Sequence, residues 1–172
     1  AVLERPDDVA LLRIEPKPAA PPPAAPTRDE VLRLLAACPG TRDRLLIGLV
    51  SGAGLRLGEA LRLCAADLDI ETRRVRVPPV GGRPGRETLL PQFLVETAAA
   101  HLNGGMPWDW VFTRRDGRRL GTRGAQRAIE RAAARCGLVG RIHSRSLRRG
   151  FYRMFGKAGE GIGVPGGIGS PL

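Results

Sequence analysis

The spacing of apolar residues changes twice along this chain, from helical to alternating and back, and that switch constrains the fold more than any other feature. Thr27 and Glu30 make a capping-box pair ahead of Val31, Leu32, Leu34 and Leu35, which are expected to supply a helical core face. A second helix is expected after Thr41, burying Leu45, Leu46, Leu49 and Val50 and breaking near Gly52 and Gly54. A third runs from about Arg56 to Cys64. The period then drops to two. Leu68-Asp69-Ile70, a turn over Glu71 to Arg73, and Arg74-Val75-Arg76-Val77 form a hairpin, and Thr88 to Leu90 returns as a third strand after a Pro- and Gly-rich loop. Helices resume over about Phe93–His101, Thr122–Cys136 and Ser144–Ala158, with Gly137 placed as a C-cap. The fold class is therefore α+β, mainly helical, with a small three-stranded antiparallel sheet.

The two ends differ from this middle. Residues 1–26 close in Pro16, Pro18, Pro21, Pro22, Pro23 and Pro26, the composition of a stiff linker or the remnant of a preceding domain. Residues 160–172 are Gly-rich and expected to be disordered, leaving 27–159 as the domain. The first residue is Ala1 rather than Met, which suits a fragment or processed product. A 42% hydrophobic share excludes wholesale disorder, and no apolar run approaches the ~18 residues of a membrane span. Cys38, Cys64 and Cys136 stand at spacings that make neither a disulfide framework nor a zinc pattern, so no metal is expected and the setting is cytoplasmic.

Charge narrows the function. Lys plus Arg number 28 against 17 Asp plus Glu, a formal charge of +11, and Lys17 and Lys157 are the only lysines. Guanidinium forks match phosphate oxygens two at a time, so a polyanion, nucleic acid above all, is the expected partner. A GC-rich coding sequence would explain Arg in place of Lys, but not the surplus of positive charge.

Two arginine positions stand out. Arg56 opens a helix just after Gly52-Ala53-Gly54-Leu55, and Glu59, one turn on, is spaced to hold its guanidinium. Such an arginine at a helix N-terminus makes a phosphate clamp; its plain alternative is a surface ion pair. In Ser144 to Phe155, Leu147, Phe151, Met154 and Phe155 make a core stripe, while Arg145, Arg148, Arg149 and Tyr152 share another face. Three guanidinium groups on one stripe call for an anion; the plain alternative is a solvated basic face. Elsewhere, His101 reads as structural, Cys64 as a small core residue, and Asp67 and Asp69 as caps of the hairpin. Of Trp108 and Trp110, one ring is expected in the core.

Ser51-Gly52-Ala53-Gly54-Leu55-Arg56-Leu57-Gly58-Glu59 resembles box I of the tyrosine recombinases (phage integrases), and Asp67 keeps that family's spacing from the arginine. Val75-Arg76-Val77, the following loop and Leu89-Leu90-Pro91 are similar to its β2–β3 element. Ser144-Arg145-Ser146-Leu147-Arg148-Arg149-Gly150-Phe151 stands where the family has P-H-x-L-R-H-x-F, and the resemblance covers Thr27 to Gly159. It implies a DNA breaking-rejoining fold in which a tyrosine attacks a backbone phosphate, two arginines hold its oxygens, a lysine protonates the leaving oxygen and a histidine assists, with no metal or nucleotide cofactor. Arg56 and Arg148 would be the two arginines, with Arg145 and Arg149 in the two histidine positions of the second box.

The departures bear on activity. The loop Pro79 to Arg86 has no lysine, and Arg83 or Arg86 would touch DNA there without serving as a general acid, because arginine holds its proton too tightly. His143 is the nearest stand-in for the missing histidine, at the cost of a local backbone shift. The family's tyrosine nucleophile follows the second box by about thirty residues, and the resemblance finds no counterpart to that segment here. Tyr152 is the only tyrosine, at a position where the family carries a small helix residue, so the nucleophile is expected to be missing from this chain. The chain is thus expected to bind duplex DNA through a concave arginine-lined face, with Glu59 supporting it, and not to cut DNA by itself. No membrane or small-molecule substrate is implied; a homo-oligomer on DNA and a nucleoid location are. The alternatives are a non-catalytic DNA-binding module and a basic RNA-binding protein. The central expectation is that Arg56 and Arg148 converge.

Overall fold

A computed structural model describes residues 24–105 and 109–155, with side chains as far as 151. Its first helix begins as its sequence directs. The Thr27 hydroxyl accepts the backbone N–H of Glu30 at 3.2 Å, and the Glu30 carboxylate accepts that of Thr27 at 2.9 Å, so α1 (Arg28–Ala36) opens on a complete capping box. Val31, Leu34, Leu35 and Cys38 are buried. Leu32 is not: it is 47% exposed, because at about 100° per residue it falls outside the stripe that the other three apolar residues define. Just before the helix, Pro26 is buried and lies where a side chain on Gly150 would be, so the proposed linker joins the fold at its last residue.

Beyond its polar first turn, helix α2 (Thr41–Gly52) is buried on every side from Leu45 to Ser51, with Leu45, Leu46, Ile47, Leu49 and Val50 fully buried. A helix of that kind belongs at the centre of a domain, and every longer helix in the described residues packs against it. Gly48 lets the chain at Leu94 approach, since a Cβ there would come within 2.4 Å of the leucine side chain.

Helix α3 (Leu57–Ala60) is four residues long, where helical spacing predicts one running to Cys64. Backbone pairing from elsewhere draws the chain out: Val111 N–H donates to the Leu63 carbonyl at 2.9 Å, Ala65 N–H to Asp109 at 2.9 Å, and Cys64 bridges Trp110. A 3-10 turn, Ala65–Asp67, follows, closed by the Asp67 carboxylate on the Cys64 N–H at 2.8 Å. Asp69 likewise accepts the Thr72 N–H, so both acids cap as expected.

Strands β1 (Leu68–Asp69), β2 (Arg74–Val77) and β3 (Arg86–Leu89) form an antiparallel sheet in that order. Val75 and Val77 are buried while Arg74 and Arg76 face water, which is the alternation that announced the strand. The third strand starts two residues earlier than expected, because Val77 pairs with Arg86, and this moves Arg86 from the loop onto the sheet.

A 3-10 turn, Gln92–Leu94, leads into α4 (Val95–Leu102), followed by α5 (Thr122–Arg135) and α6 (Ser144–Phe155). Cys136 is the C-cap of α5, and Gly137, with φ 72°, is the left-handed residue that follows it and ends the helix. His101 is structural: its Nε2 donates to the Val111 carbonyl at 2.7 Å, which leaves Nδ1 to accept the Thr41 hydroxyl at 3.1 Å. Trp110 is 40% exposed beneath the Arg119 guanidinium, so it is not a core ring, and Phe112 and Val111 fill that place. Cys64 is half-buried rather than in the core; Cys38 is the buried thiol, and burial pushes its pKa up to about 11. Among the described residues no helix is long and apolar enough to cross a membrane. Trp108, most of the expected linker, the glycine-rich tail, Lys17, Lys157 and the side chains of Tyr152, Met154 and Phe155 lie outside the described residues.

Candidate nucleic-acid interface

The turn between α2 and α3 is where the two arginine segments meet. Gly54 has φ 67°, a conformation that costs any other residue, and a Cβ on it would lie 2.6 Å from the ring of Phe151. Its carbonyl accepts a hydrogen bond from Nε of Arg148 at 3.0 Å. Helix α6 is therefore seated on this turn, through an aromatic ring and one directional bond, and the seating carries Arg148 beside Arg56.

Arg56 occupies the N-cap of α3. Its backbone N–H donates to Glu59 Oε2 at 2.7 Å and its Nη1 to Oε1 at 3.0 Å. Arg86 reaches the same carboxylate from β3, Nη2 to Oε2 at 2.8 Å. Glu59 is only 6% exposed. Burial by itself would raise its pKa, but the hydrogen bonds from the Arg56 backbone and guanidinium, with the charges of Arg86 and Arg56, outweigh burial and hold the carboxyl below the ordinary glutamate value. With both oxygens engaged, Glu59 fixes arginines and is not a surface offered to an anion.

Arg56, Leu57, Ser144, Arg145, Arg148 and Arg149 line one open cleft of about 450 Å³. Four of the six are guanidinium groups and none is a carboxylate. The first turn of α6 forms part of the wall, adding the partial positive charge of a helix N-terminus. The cleft thus gathers positive charge contributed by two elements remote in the chain.

The remaining sequence-based candidates fall outside it. His143 is the N-cap of α6, its backbone N–H held by Ser146 Oγ at 2.9 Å, and its exposed side chain lines a neighbouring hollow with Gln126, Ile129 and Glu130. That hollow shares only Ser144 with the arginine cleft. Arg83 is exposed at the tip of the β2–β3 loop, which is closed by its backbone exchange with Val80 at 3.2 Å. Arg86 does not line the cleft, and its guanidinium is bonded to Glu59. The lining role of Ser144 and the Gly54–Arg148 bond escape a reading of the sequence, because both depend on where α6 docks. Among the described residues no group of His, Cys, Asp and Glu is arranged to hold a metal ion.

Residues 26–160 match the family model of the phage integrase family. The chain is 33% identical over 156 residues to tyrosine recombinase XerC of Xanthomonas campestris pv. campestris, across 81% of this chain and 48% of that protein. Its fold is similar to that of the XerA recombinase crystal structure, with TM-score 0.71 at 22% identity, over 83% of this chain and 54% of that one. It is also similar to the Tn1549 transposon integrase in complex with transposon right end DNA, with TM-score 0.68 at 16% identity, over 84% and 56% of the two chains. The chain spans about a third to a half of the length of the curated relatives it matches.

Proposed function

The chain belongs to the phage integrase family, and we propose that it binds duplex DNA by clamping a backbone phosphate between Arg56 and Arg148, as the phosphate-holding part of a site-specific tyrosine recombinase. One observation carries this reading: two arginines far apart in sequence line a single cleft free of carboxylates. Phosphoryl transfer asks a protein mainly for positioning and for charge placed where the transition state develops it. Arg56, oriented by Glu59, and Arg148, oriented by the Gly54 carbonyl, meet the non-bridging oxygens from two elements. Arg145 and Arg149 add donors to the same phosphate or its neighbours. Duplex DNA is the partner, no nucleotide or small-molecule substrate is involved, and the setting is the cytoplasm, where the intact protein acts on DNA as a homo-oligomer.

Binding of a labelled DNA duplex tests the clamp. Arg56→Ala and Arg148→Ala each weaken it by about tenfold or more, as expected for a lost charge-assisted phosphate contact; parent-like binding by both variants, or a preference for RNA over duplex, overturns it.

The lining residues also favour a second reading, binding without cleavage, because neither a lysine nor a histidine lines the cleft among the described residues. Arginine donates hydrogen bonds but does not move protons readily. On a nicked duplex that traps covalent intermediates, this chain alone is expected to give no DNA-linked adduct. An adduct mapping to Tyr152 would restore full catalysis to the chain.

A further inference from the structure

The Glu59 carboxylate presents an electrostatic difficulty that the fold resolves. A carboxylate that orients Arg56 at 3.0 Å also offsets its charge, and a neutral pair attracts a phosphate far less than a lone guanidinium does. Arg86 meets the same carboxylate at 2.8 Å from the opposite element, so two guanidinium groups on one carboxylate leave the cluster formally positive. Arg86 is itself absent from the cleft wall. Its position is built in: Val77 pairs with Arg86 in the sheet, and the Thr88 hydroxyl donates to the Ala53 carbonyl at 3.3 Å, docking β3 on the turn that precedes Arg56.

From this geometry we propose that Arg86 is a positioning residue for phosphate binding: it supplies the counter-charge that lets Glu59 fix Arg56 without cancelling Arg56's attraction for phosphate. The proposal rests on the phosphate-clamp reading and gives Arg86 a part distinct from direct DNA contact. Its signature is a dependence on the carboxylate. If Arg86 works by balancing Glu59, removing the charge of Glu59 makes Arg86 dispensable.

The experiment measures binding of a fluorescently labelled DNA duplex across a salt series for the parent, Arg86→Ala, Arg86→Lys, Glu59→Gln and the double variant Glu59→Gln with Arg86→Ala. Arg86→Ala weakens binding by about tenfold while the slope of log K against log salt stays unchanged, since no phosphate contact is lost. Arg86→Lys, which keeps the charge, recovers most of the affinity. In the Glu59→Gln background Arg86→Ala costs less than about twofold, the non-additivity expected of two groups that act through each other. Two results would overturn the proposal. One is an equal loss in both backgrounds with a slope reduced by about one, which marks a direct phosphate contact; the other is no loss in either. Should Arg86→Ala unfold, Arg86→Gln against Arg86→Lys makes the same contrast of charge removed and charge kept. Arg56→Ala serves as the reference: parent-like binding there sinks the clamp itself, whereas weakened Arg56→Ala beside parent-like Arg86→Ala sinks only this proposal.

Discussion

A guanidinium that is to hold a phosphate must be rigid before the phosphate arrives, yet remain charged and open. Arg56 is placed for this: its side chain is 40% exposed toward the cleft, while its backbone and Nη1 are tied to a carboxylate that is almost wholly buried. The motif around Arg56 made that pairing legible, since Glu59 lies one helical turn on. It did not disclose Arg86, because which strand residue faces Glu59 depends on sheet register rather than on local spacing. The pairing also sets an acid limit. Glu59 has a lowered pKa in the fold, so its ionised form contributes stability that is fully present above the unfolded-state value of about 4.3 and is lost as pH falls through the lower folded value. Glu59→Gln is therefore expected to lower the melting temperature at pH 7, with the gap to the parent closing as the pH falls below the unfolded-state value of about 4.3. A gap that stays constant with pH would mean that the carboxylate charge does not matter to the fold.

At the scale of elements, α1 and α5 were legible because each buries a continuous stripe, α2 because it carries an unbroken apolar run, and β2 because its valines alternate with arginines. Of the stripe expected on α6, Leu147 is buried and Phe151 part-buried, while the side chains of Met154 and Phe155 lie outside the described residues. What failed did so for a common reason. Helix α3 stops early because residues 63–65 pair with 109–111, and β3 starts early because Arg86 pairs with Val77; both depend on partners remote in the chain. The contact that matters most for the site, α6 on the Gly54 turn, is remote in the same way. Gly54→Ala tests that seating. An L-residue held near φ 67° costs about 1–2 kcal/mol, and the added methyl would press on Phe151 at 2.6 Å, forcing the ring away. The variant is expected to lose at least that stability in urea titrations and to bind DNA more weakly than the parent, because Arg148 rides on the displaced helix. Unchanged DNA binding in a destabilised Gly54→Ala would show that the turn supports the fold without aligning the clamp.

For the whole molecule the question is whether binding comes from the cleft or from bulk charge, since the chain carries a formal +11 in any conformation. The fold separates the two. Helix α2 sits at the centre, the start of α3 that follows it supplies one wall of the cleft and α6, packed along α2, supplies the other, so the cleft exists only when the core has formed. Diffuse charge attracts a duplex by counterion release, and each phosphate neutralised contributes about −0.9 to the slope of log K against log salt. Arg56 and Arg148 share one phosphate and so together account for about one of those contacts. The double variant Arg56→Ala with Arg148→Ala should accordingly retain a steep but shallower slope, reduced by about one, and lose affinity at every salt concentration. A double variant whose salt line lies on top of the parent's would place the binding in the exposed arginines of the surface, and the cleft would be a feature of the fold without a share in DNA binding.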